Sequence, residues 1–368
     1  MRTIIKYFFT FGLFLSFTAC VSPSGNEKNS TPKHDNVVAK NIIFMIGDGM
    51  SYAQIQAAET ALNKRLVMSS MPVTGNVTTY SADKLITDSG AGGTALATGH
   101  KTNNGMIGMR ADSTAVESLL EIFADADKKT GMVVSCGITH ATPAAFVAKN
   151  VNRSSYEAIA ADIADSEKLH YFVGGGRDHF QKREDSVDLL SKMKEKGWQF
   201  FDDLNEINTQ SERFGVFVAD GHPGSAAYGR GDMLPKGTAL LLKKMSANPQ
   251  GFFLMVEGSQ IDWAGHNNDS AYLVQEMADF DATVAEVLAF AQQDGKTLVI
   301  ITADHETGGL TLVRGADKDY NKVRFHFSTG NHTSLSVPVY AYGPGAERFS
   351  GAYDNTDIFG KILQVAGL

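Results

Sequence analysis

Seven apolar runs of strand length recur along this chain, and amphipathic segments separate them. We predict strands at 41–46, 132–135, 171–173, 215–218, 252–256, 297–302 and 337–342. Regular alternation of strands with helical segments favours parallel strands, because each connecting helix crosses over the sheet. The sequence therefore predicts an α/β fold with a doubly wound, largely parallel central sheet and helices on both faces.

The segments between the strands carry helix signals. Residues from about 270 to 292 are predicted to form a helix that separates two strands. The run Thr114-Ala115-Val116-Glu117 has the residue types of a capping box, and apolar residues at helical spacing follow it. The chain shows no internal repeat and no long low-complexity linker, so residues 37–368 are predicted to form one main domain.

The first 36 residues have a different character. A basic start precedes an apolar run at 7–17, which is too short for a comfortable membrane span and typical of an export signal. Residues 1–19 are predicted as a signal peptide, and its end resembles the lipobox of bacterial lipoproteins, whose cysteine, here Cys20, is acylated. Residues 20–36 are polar and predict a flexible tether. We expect an exported, periplasmic protein with a lipid anchor; plain secretion is the alternative, because Phe17 departs from the lipobox pattern.

Charge and cysteine content narrow the function further. The net charge of -8 argues against a general nucleic-acid surface and favours small substrates or cations. The chain has two cysteines, Cys20 and Cys136, so an acylated Cys20 leaves no intramolecular disulfide. Cys136 follows an apolar run and is predicted to be a buried structural thiol.

Acids and histidines follow three of the predicted strands. They are Asp48 after the first strand, Glu257, Asp262 and His266 after the fifth, and Asp304 and His305 after the sixth; His332 precedes the last strand. Ligands of open α/β sheets bind beyond the carboxyl ends of the strands. Four carboxylates along one sheet edge would repel each other severely unless cations neutralised them. The pattern predicts a site for several metal ions.

Ser89 lies in the glycine-rich run Thr87-Asp88-Ser89-Gly90-Ala91-Gly92-Gly93, which precedes a predicted helix. A serine hydroxyl needs a base, a lowered pKa or a metal to act as a nucleophile, and the flanking residues offer no base. The helix N-terminus would favour an anion beside the hydroxyl, and a metal cluster would activate it. The alternative is a glycine-rich turn that caps an ordinary helix.

Arg153 is a candidate for binding an anionic substrate. It follows the segment 140–145, beyond the carboxyl end of the strand at 132–135. Its guanidinium could bind two phosphate oxygens at once. A surface salt bridge is the alternative.

The chain from about Lys40 to Leu368 closely resembles the alkaline phosphatase family, with five motifs in the family's order. These are Phe44-Met45-Ile46-Gly47-Asp48-Gly49-Met50, Thr87-Asp88-Ser89-Gly90-Ala91, Val256-Glu257-Gly258-Ser259-Gln260-Ile261-Asp262 with His266, Thr302-Ala303-Asp304-His305-Glu306, and Gly330-Asn331-His332-Thr333.

The resemblance implies two Zn²⁺ and one Mg²⁺ per chain. Asp262, His266 and His332 would hold one zinc; Asp48, Asp304 and His305 a second; and Asp48, Thr142 and Glu257 the magnesium. It also implies hydrolysis of small phosphate monoesters: Ser89 attacks phosphorus, Arg153 holds the non-bridging oxygens, and water then hydrolyses the phosphoserine.

Two features depart from the best-known bacterial members. His140 and Trp263 stand where those members carry an acid and a lysine near the magnesium and the phosphate, so a histidine could recruit zinc to that site. The interval between His305 and His332 is short, which predicts a small crown insertion and weakens the expectation of a homodimer. Two other functions stay open: a phosphodiesterase of the same superfamily, and a lipoprotein that binds metal or phosphate without turnover.

Overall fold

A ten-stranded sheet forms the centre of the computed structural model, which describes residues 38–207, 210–315 and 322–368. The strand order is β14-β2-β13-β8-β1-β7-β3-β4-β6-β5. The strands of this sheet are β1 Asn41–Gly47, β2 Val73–Thr78, β3 Lys129–Gly137, β4 Tyr171–Gly175, β5 Trp198–Phe201, β6 Arg213–Phe217, β7 Phe252–Gly258, β8 Thr297–Thr302, β13 Val337–Tyr342 and β14 Gly351–Asp354. Four short strands lie outside it: β9 Glu306–Thr307, β10 Leu310–Arg314, β11 Val323–Phe327 and β12 His332–Thr333.

Strand direction agrees with the sequence prediction. The sheet is parallel except at β13, which runs antiparallel to both β8 and β2. All seven predicted strands are present, with boundaries shifted by at most a few residues. The sequence analysis missed β2, β5 and β14, which lie at the two ends of the sheet. Strands there carry more exposed and polar residues, so they lack the continuous apolar runs of β1, β7 and β8.

Eleven α-helices lie within the described residues. They are α1 Tyr52–Leu62, α2 Ser89–Thr98, α3 Leu119–Asp125, α4 Ala141–Ala144, α5 Tyr156–Asp165, α6 Asp178–Gln181, α7 Leu189–Glu195, α8 Met233–Met245, α9 Gln260–His266, α10 Ser270–Asp294 and α11 Asp357–Ala366. The predicted helix at 270–292 is α10. The predicted capping box at 114–117 is wrong: the box is formed by Ser118 and Glu121, one turn later, where it caps α3.

Helices cover both faces of the sheet. Phe252 and Phe253 are neighbours in β7, so their side chains point to opposite faces. Phe252 packs against Phe290 of α10, whereas Phe253 packs against Phe123 of α3 and against Phe146. The doubly wound architecture is therefore confirmed, and both faces bury large apolar side chains.

The segment between His305 and His332 is small. It contains two antiparallel pairs, β9 with β12 and β10 with β11. In the part of the chain that the structure describes, no helix is both long and apolar enough to cross a membrane. The predicted signal peptide, the tether and Cys20 fall within residues 1–37, outside the described residues.

Candidate active site

The candidate site lies where three adjacent parallel strands end. In the sheet β1 lies between β8 and β7, and Ile46 is in register with Thr302 on one side and Glu257 on the other. Their carboxyl ends therefore meet at one edge, which brings Asp48, Glu257 and Asp304 together, each fully buried. Gly49 lets the loop after β1 pass close to α9, because its φ is +73° and a Cβ there would lie 2.8 Å from the Cα of Asp262.

The first group of ligands, here called the buried cluster, is Asp48, Asp304 and His305. The Nε2 atom of His305 lies 3.2 Å from Asp304 Oδ2 and 3.5 Å from Asp48 Oδ1. Its Nδ1 atom lies 3.2 Å from the hydroxyl of Thr307, and that hydroxyl donates to Asp262. The Thr307 oxygen must therefore accept from Nδ1–H, which leaves the lone pair of His305 Nε2 facing two carboxylates.

The second group, here called the outer cluster, is Asp262, His266 and His332. Asp262 and His266 lie one turn apart on α9, and the pairing of β12 with β9 brings His332 beside them. The two Nε2 atoms are 3.1 Å apart, and they lie 3.3 and 3.4 Å from the Asp262 carboxylate oxygens.

The opposite nitrogens of these two rings are fixed by the backbone. His266 Nδ1 lies 2.8 Å from the carbonyl oxygen of Gly330, and His332 Nδ1 lies 2.9 Å from that of Thr87. Only an Nδ1–H can donate there, so each Nε2 is free to bind a cation. Unlike the buried cluster, this one reaches solvent, because the side chain of His266 is 37% exposed.

The third predicted set of metal ligands, that for magnesium, surrounds Glu257. The hydroxyl of Thr142, on α4, lies 3.5 Å from Asp48 Oδ2 and donates towards it. A ring nitrogen of His140 and the sulfur of Cys136 also lie within 4.8 Å of a Glu257 carboxylate oxygen. Trp263 packs edge-on against His140 at 6.0 Å between ring centroids, so both residues that depart from the family pattern are at this position.

The pKa shifts of the carboxyl groups show that their charged forms are unfavourable at this buried site when no cation is present. Burial, followed by repulsion from Asp304, Asp262 and Glu257, raises the pKa of Asp48 well above its usual value. Burial is also the largest cause that raises the pKa of Glu257 to about 7 and that of Asp304 to about 6.

The histidines of the two clusters have pKa values shifted in opposite directions. Burial lowers the pKa of His305 well below its usual value, so this ring is neutral at neutral pH. In the outer cluster, the hydrogen bond with Asp262 raises the pKa of His266 to about 9. Burial alone would raise the pKa of Asp262, but hydrogen bonds with His266 and His332 hold it well below the usual range.

The donor set fits bound cations. Among the described residues, Asp48 Oδ1, Glu257 Oε1 and Asp304 Oδ2 are buried and accept no hydrogen bond. Buried carboxylate oxygens cost several kcal/mol when left without a partner. The distances of 3.2–3.5 Å between the histidine nitrogens and the carboxylate oxygens of the two clusters are compatible with ligands around one ion. Imidazole and carboxylate donors suit zinc, whereas carboxylate and hydroxyl donors suit magnesium.

Ser89 is the first residue of α2, so its hydroxyl lies at a helix N-terminus. The predicted glycine-rich turn is wrong in one detail: the glycines lie within α2 itself. At Gly92 a Cβ would come within 2.9 Å of the Asp304 carbonyl oxygen, which explains the glycine. Ser89 is 2% exposed, and its Oγ lies 3.2 Å from His305 Nε2, beside the buried cluster.

Arg153 is held beside this serine by a residue that the sequence analysis did not assign. Asp88 caps α2 through the N–H of Ala91, and its other oxygen accepts from the N–H of Gly105 and from Arg153 Nη1 at 3.1 Å. The charge of Arg153 also acts on the pKa of Asp48, His266 and His305. In the sequence, Asp88 could have been identified as an N-cap residue, because it directly precedes Ser89 at the start of the helix.

Three further residues were missed. Thr307 orients His305 and Asp262, as described above. His222, which matches no metal motif of the sequence, accepts from the N–H of Gly137 and packs its ring against Trp263 at 4.9 Å. Cys136 is buried as predicted, but it lies among candidate ligands instead of apolar side chains alone. No spacing in the sequence connects His222 or Cys136 to the metal motifs.

Comparisons with known proteins agree with this geometry. The family model described as alkaline phosphatase matches residues 39–323. Alkaline phosphatase 4 of Bacillus subtilis (strain 168) is 32% identical, over 92% of this chain and 92% of its own length. The Escherichia coli (strain K12) alkaline phosphatase is 29% identical, over 90% of this chain and 86% of its own. The solved alkaline phosphatase of the Antarctic bacterium TAB5 is 41% identical, with a TM-score of 0.86 over 90% of this chain and 98% of that one. This chain belongs to the alkaline phosphatase family.

Proposed function

We propose that this phosphatase hydrolyses small phosphate monoesters through a phosphoserine at Ser89. The observation that carries the proposal is the position of the Ser89 hydroxyl, at a helix N-terminus and 3.2 Å from the free Nε2 of His305. A phosphoryl group on this oxygen would face backbone N–H groups of α2 on one side and Arg153 on the other.

We propose two zinc ions, in the buried and outer clusters, and a magnesium ion held by Asp48, Thr142 and Glu257. Bound there, the cations would lower the pKa of coordinated hydroxyl groups and neutralise charge on the transferring phosphoryl group. A mutant form of the TAB5 enzyme carries Mg in a site called M3. The set around Asp48, Thr142 and Glu257 offers the oxygen donors that magnesium needs.

The residues of this chain then have separate roles. Ser89 Oγ gives its proton to water and forms a bond to phosphorus, while the bond from phosphorus to the ester oxygen breaks and the leaving alkoxide takes a proton from water. Arg153, held by Asp88, binds two non-bridging oxygens and orients the group for in-line attack. Water then attacks the phosphoserine, which releases inorganic phosphate and restores the serine hydroxyl.

Two rival functions make different demands on these residues. A phosphodiesterase of the same superfamily commonly uses threonine as nucleophile, so Ser89 paired with Arg153 favours monoesters. A lipoprotein that only binds metal or phosphate would have no use for a hydroxyl directed at His305. We also propose that the protein is exported and carries lipid on Cys20; a homodimer stays a prediction.

The test compares aryl phosphate monoesters with diesters on the purified protein and on Ser89→Ala. Ser246→Ala is the matched control, because Ser246 is exposed at the end of α8, outside the candidate site. We expect faster monoester turnover, abolished by Ser89→Ala and retained in Ser246→Ala. Faster diester turnover would favour the phosphodiesterase, and full activity in Ser89→Ala would overturn the mechanism.

A further inference from the structure

Cys136 is a candidate ligand that the proposed mechanism does not use. It lies near the end of β3, fully buried, with its sulfur 3.4 Å from Glu257 Oε2. The same carboxylate has its other oxygen, Oε1, buried and without a hydrogen-bond partner among the described residues. Glu257 therefore has one oxygen directed at a thiol and one that is unsatisfied.

His140 completes a second donor set at the same carboxylate. Its side chain is only 8% exposed, and within the described chain its Nδ1 is buried without a hydrogen-bond partner. One ligand atom each from Cys136, His140 and Glu257 lie within 4.8 Å of one another. Ligand atoms around a tetrahedral zinc are about 3.6 Å apart, so modest side-chain rotations would bring the three to one ion.

The two donor sets that share Glu257 differ in chemical softness. Asp48 and Thr142 offer only oxygen, the donor that magnesium requires. Cys136 and His140 offer sulfur and nitrogen, which magnesium binds poorly and zinc binds well. The rings of His222 and Trp263 pack around His140, so the soft set is largely shielded from water.

We propose that Cys136, His140 and Glu257 form a soft coordination set within the third metal site, which takes Zn²⁺ or a similar thiophilic cation in competition with Mg²⁺. Binding forms a bond between sulfur and the metal, and the thiol proton is released to solvent. The inference deepens the proposed function, on which it rests for the third site.

The test uses Co²⁺ as a spectroscopic probe. Protein stripped with a chelator is titrated with Co²⁺, and near-ultraviolet absorption from sulfur-to-cobalt charge transfer is recorded in wild type, Cys20→Ser and Cys136→Ser. Cys20→Ser is the matched control, since it removes the other thiol of the chain. We expect the absorption in wild type and Cys20→Ser and its loss in Cys136→Ser, with excess Mg²⁺ suppressing it. Absence of the absorption from fully loaded wild type would overturn the inference.

A second measurement needs no substitution at Cys136. Zinc X-ray absorption on Cys20→Ser protein with its three sites loaded should show one sulfur neighbour per three zinc ions, at about 2.3 Å. A shell of nitrogen and oxygen alone would overturn the inference. Monoester turnover is measured on the same samples: turnover without a sulfur signal defeats only this inference, and a sulfur signal without turnover defeats only the proposed function.

Discussion

The buried and outer clusters share one sheet edge but balance their charge in different ways. In the buried cluster, His305 and both carboxylates are fully buried, and burial disfavours the charged form of each. In the outer cluster, the two histidines and Asp262 form hydrogen bonds that stabilise their charged forms, and His266 reaches solvent. The buried cluster therefore depends on a cation for its charge balance, whereas the outer cluster can hold protons in place of a metal.

This difference would allow a division of labour between the two clusters in the proposed mechanism. A cation shielded from solvent would suit the activation of Ser89, which lies beside His305. An accessible site, where proton and metal compete, suits the steps in which alcohol leaves and water enters.

Asp48→Asn should have the largest effect, because Asp48 faces both the buried cluster and Thr142. We expect a loss of two bound metal ions per chain and a fall in kcat/KM on the order of 10³-fold or more, since each cation supplies several kcal/mol. Metal analysis and steady-state kinetics check this. Retention of three metal ions would contradict the assignment of Asp48 as a bridge.

His266→Asn should affect only the outer cluster. We expect the loss of one metal ion per chain and a fall in kcat/KM on the order of 10²-fold, while the buried cluster keeps its cation. Comparing the number of metal ions lost in His266→Asn and in Asp48→Asn tests whether the two clusters bind their cations independently. If both variants lost the same number of ions, the two clusters would not be independent.

Arg153→Ala should weaken binding of inorganic phosphate by about 10- to 100-fold, because it removes charge-assisted hydrogen bonds worth about 1.5–3 kcal/mol. Asp88→Asn should give a smaller change, since it leaves the guanidinium in place but loosens it. Phosphate inhibition constants check both, and metal content should stay at the wild-type level. Unchanged inhibition by phosphate in Arg153→Ala would exclude its role.

The smallest effect concerns the stability of metal-free protein between pH 7 and 9. The pKa of His266 is raised to about 9, so its stabilising contribution is complete below its unfolded value near 6.5 and is lost as the pH rises towards 9. The buried rings of His140 and His305 have lowered pKa values and contribute little over this range. The raised pKa values of Asp48 and Glu257 add a fall of the same sign, because these buried carboxyls are protonated at a higher pH in the folded than in the unfolded protein.

We therefore expect the contribution of His266 to the free energy of unfolding to fall from pH 7 to 9 in metal-free protein, by less than about 1 kcal/mol because solvent screens its pair with Asp262. Urea unfolding checks this, with metal-loaded protein and metal-free His266→Asn as controls. A slope as steep in metal-free His266→Asn as in the metal-free wild type would assign the effect to the buried carboxyls instead.

The sequence was sufficient to predict the central strands and the edge of the sheet where the site lies. Buried parallel strands such as β1, β7 and β8 are continuous apolar runs, and their carboxyl ends meet at one edge by geometry alone. Sequence reasoning failed where the partner is distant in the chain. The contact of Cys136 with Glu257 joins residues 121 positions apart, and that of Asp88 with Arg153 joins residues 65 apart. Only the packed sheet brings such pairs together.

The central claim is that Ser89 accepts the phosphoryl group. The most direct measurement is peptide mass spectrometry of enzyme mixed with a phosphate monoester and quenched in acid during turnover. We expect phosphate on Ser89 in wild type and in Ser246→Ala, and none in Ser89→Ala. Active enzyme that carries phosphate on another residue, or on none, would contradict it.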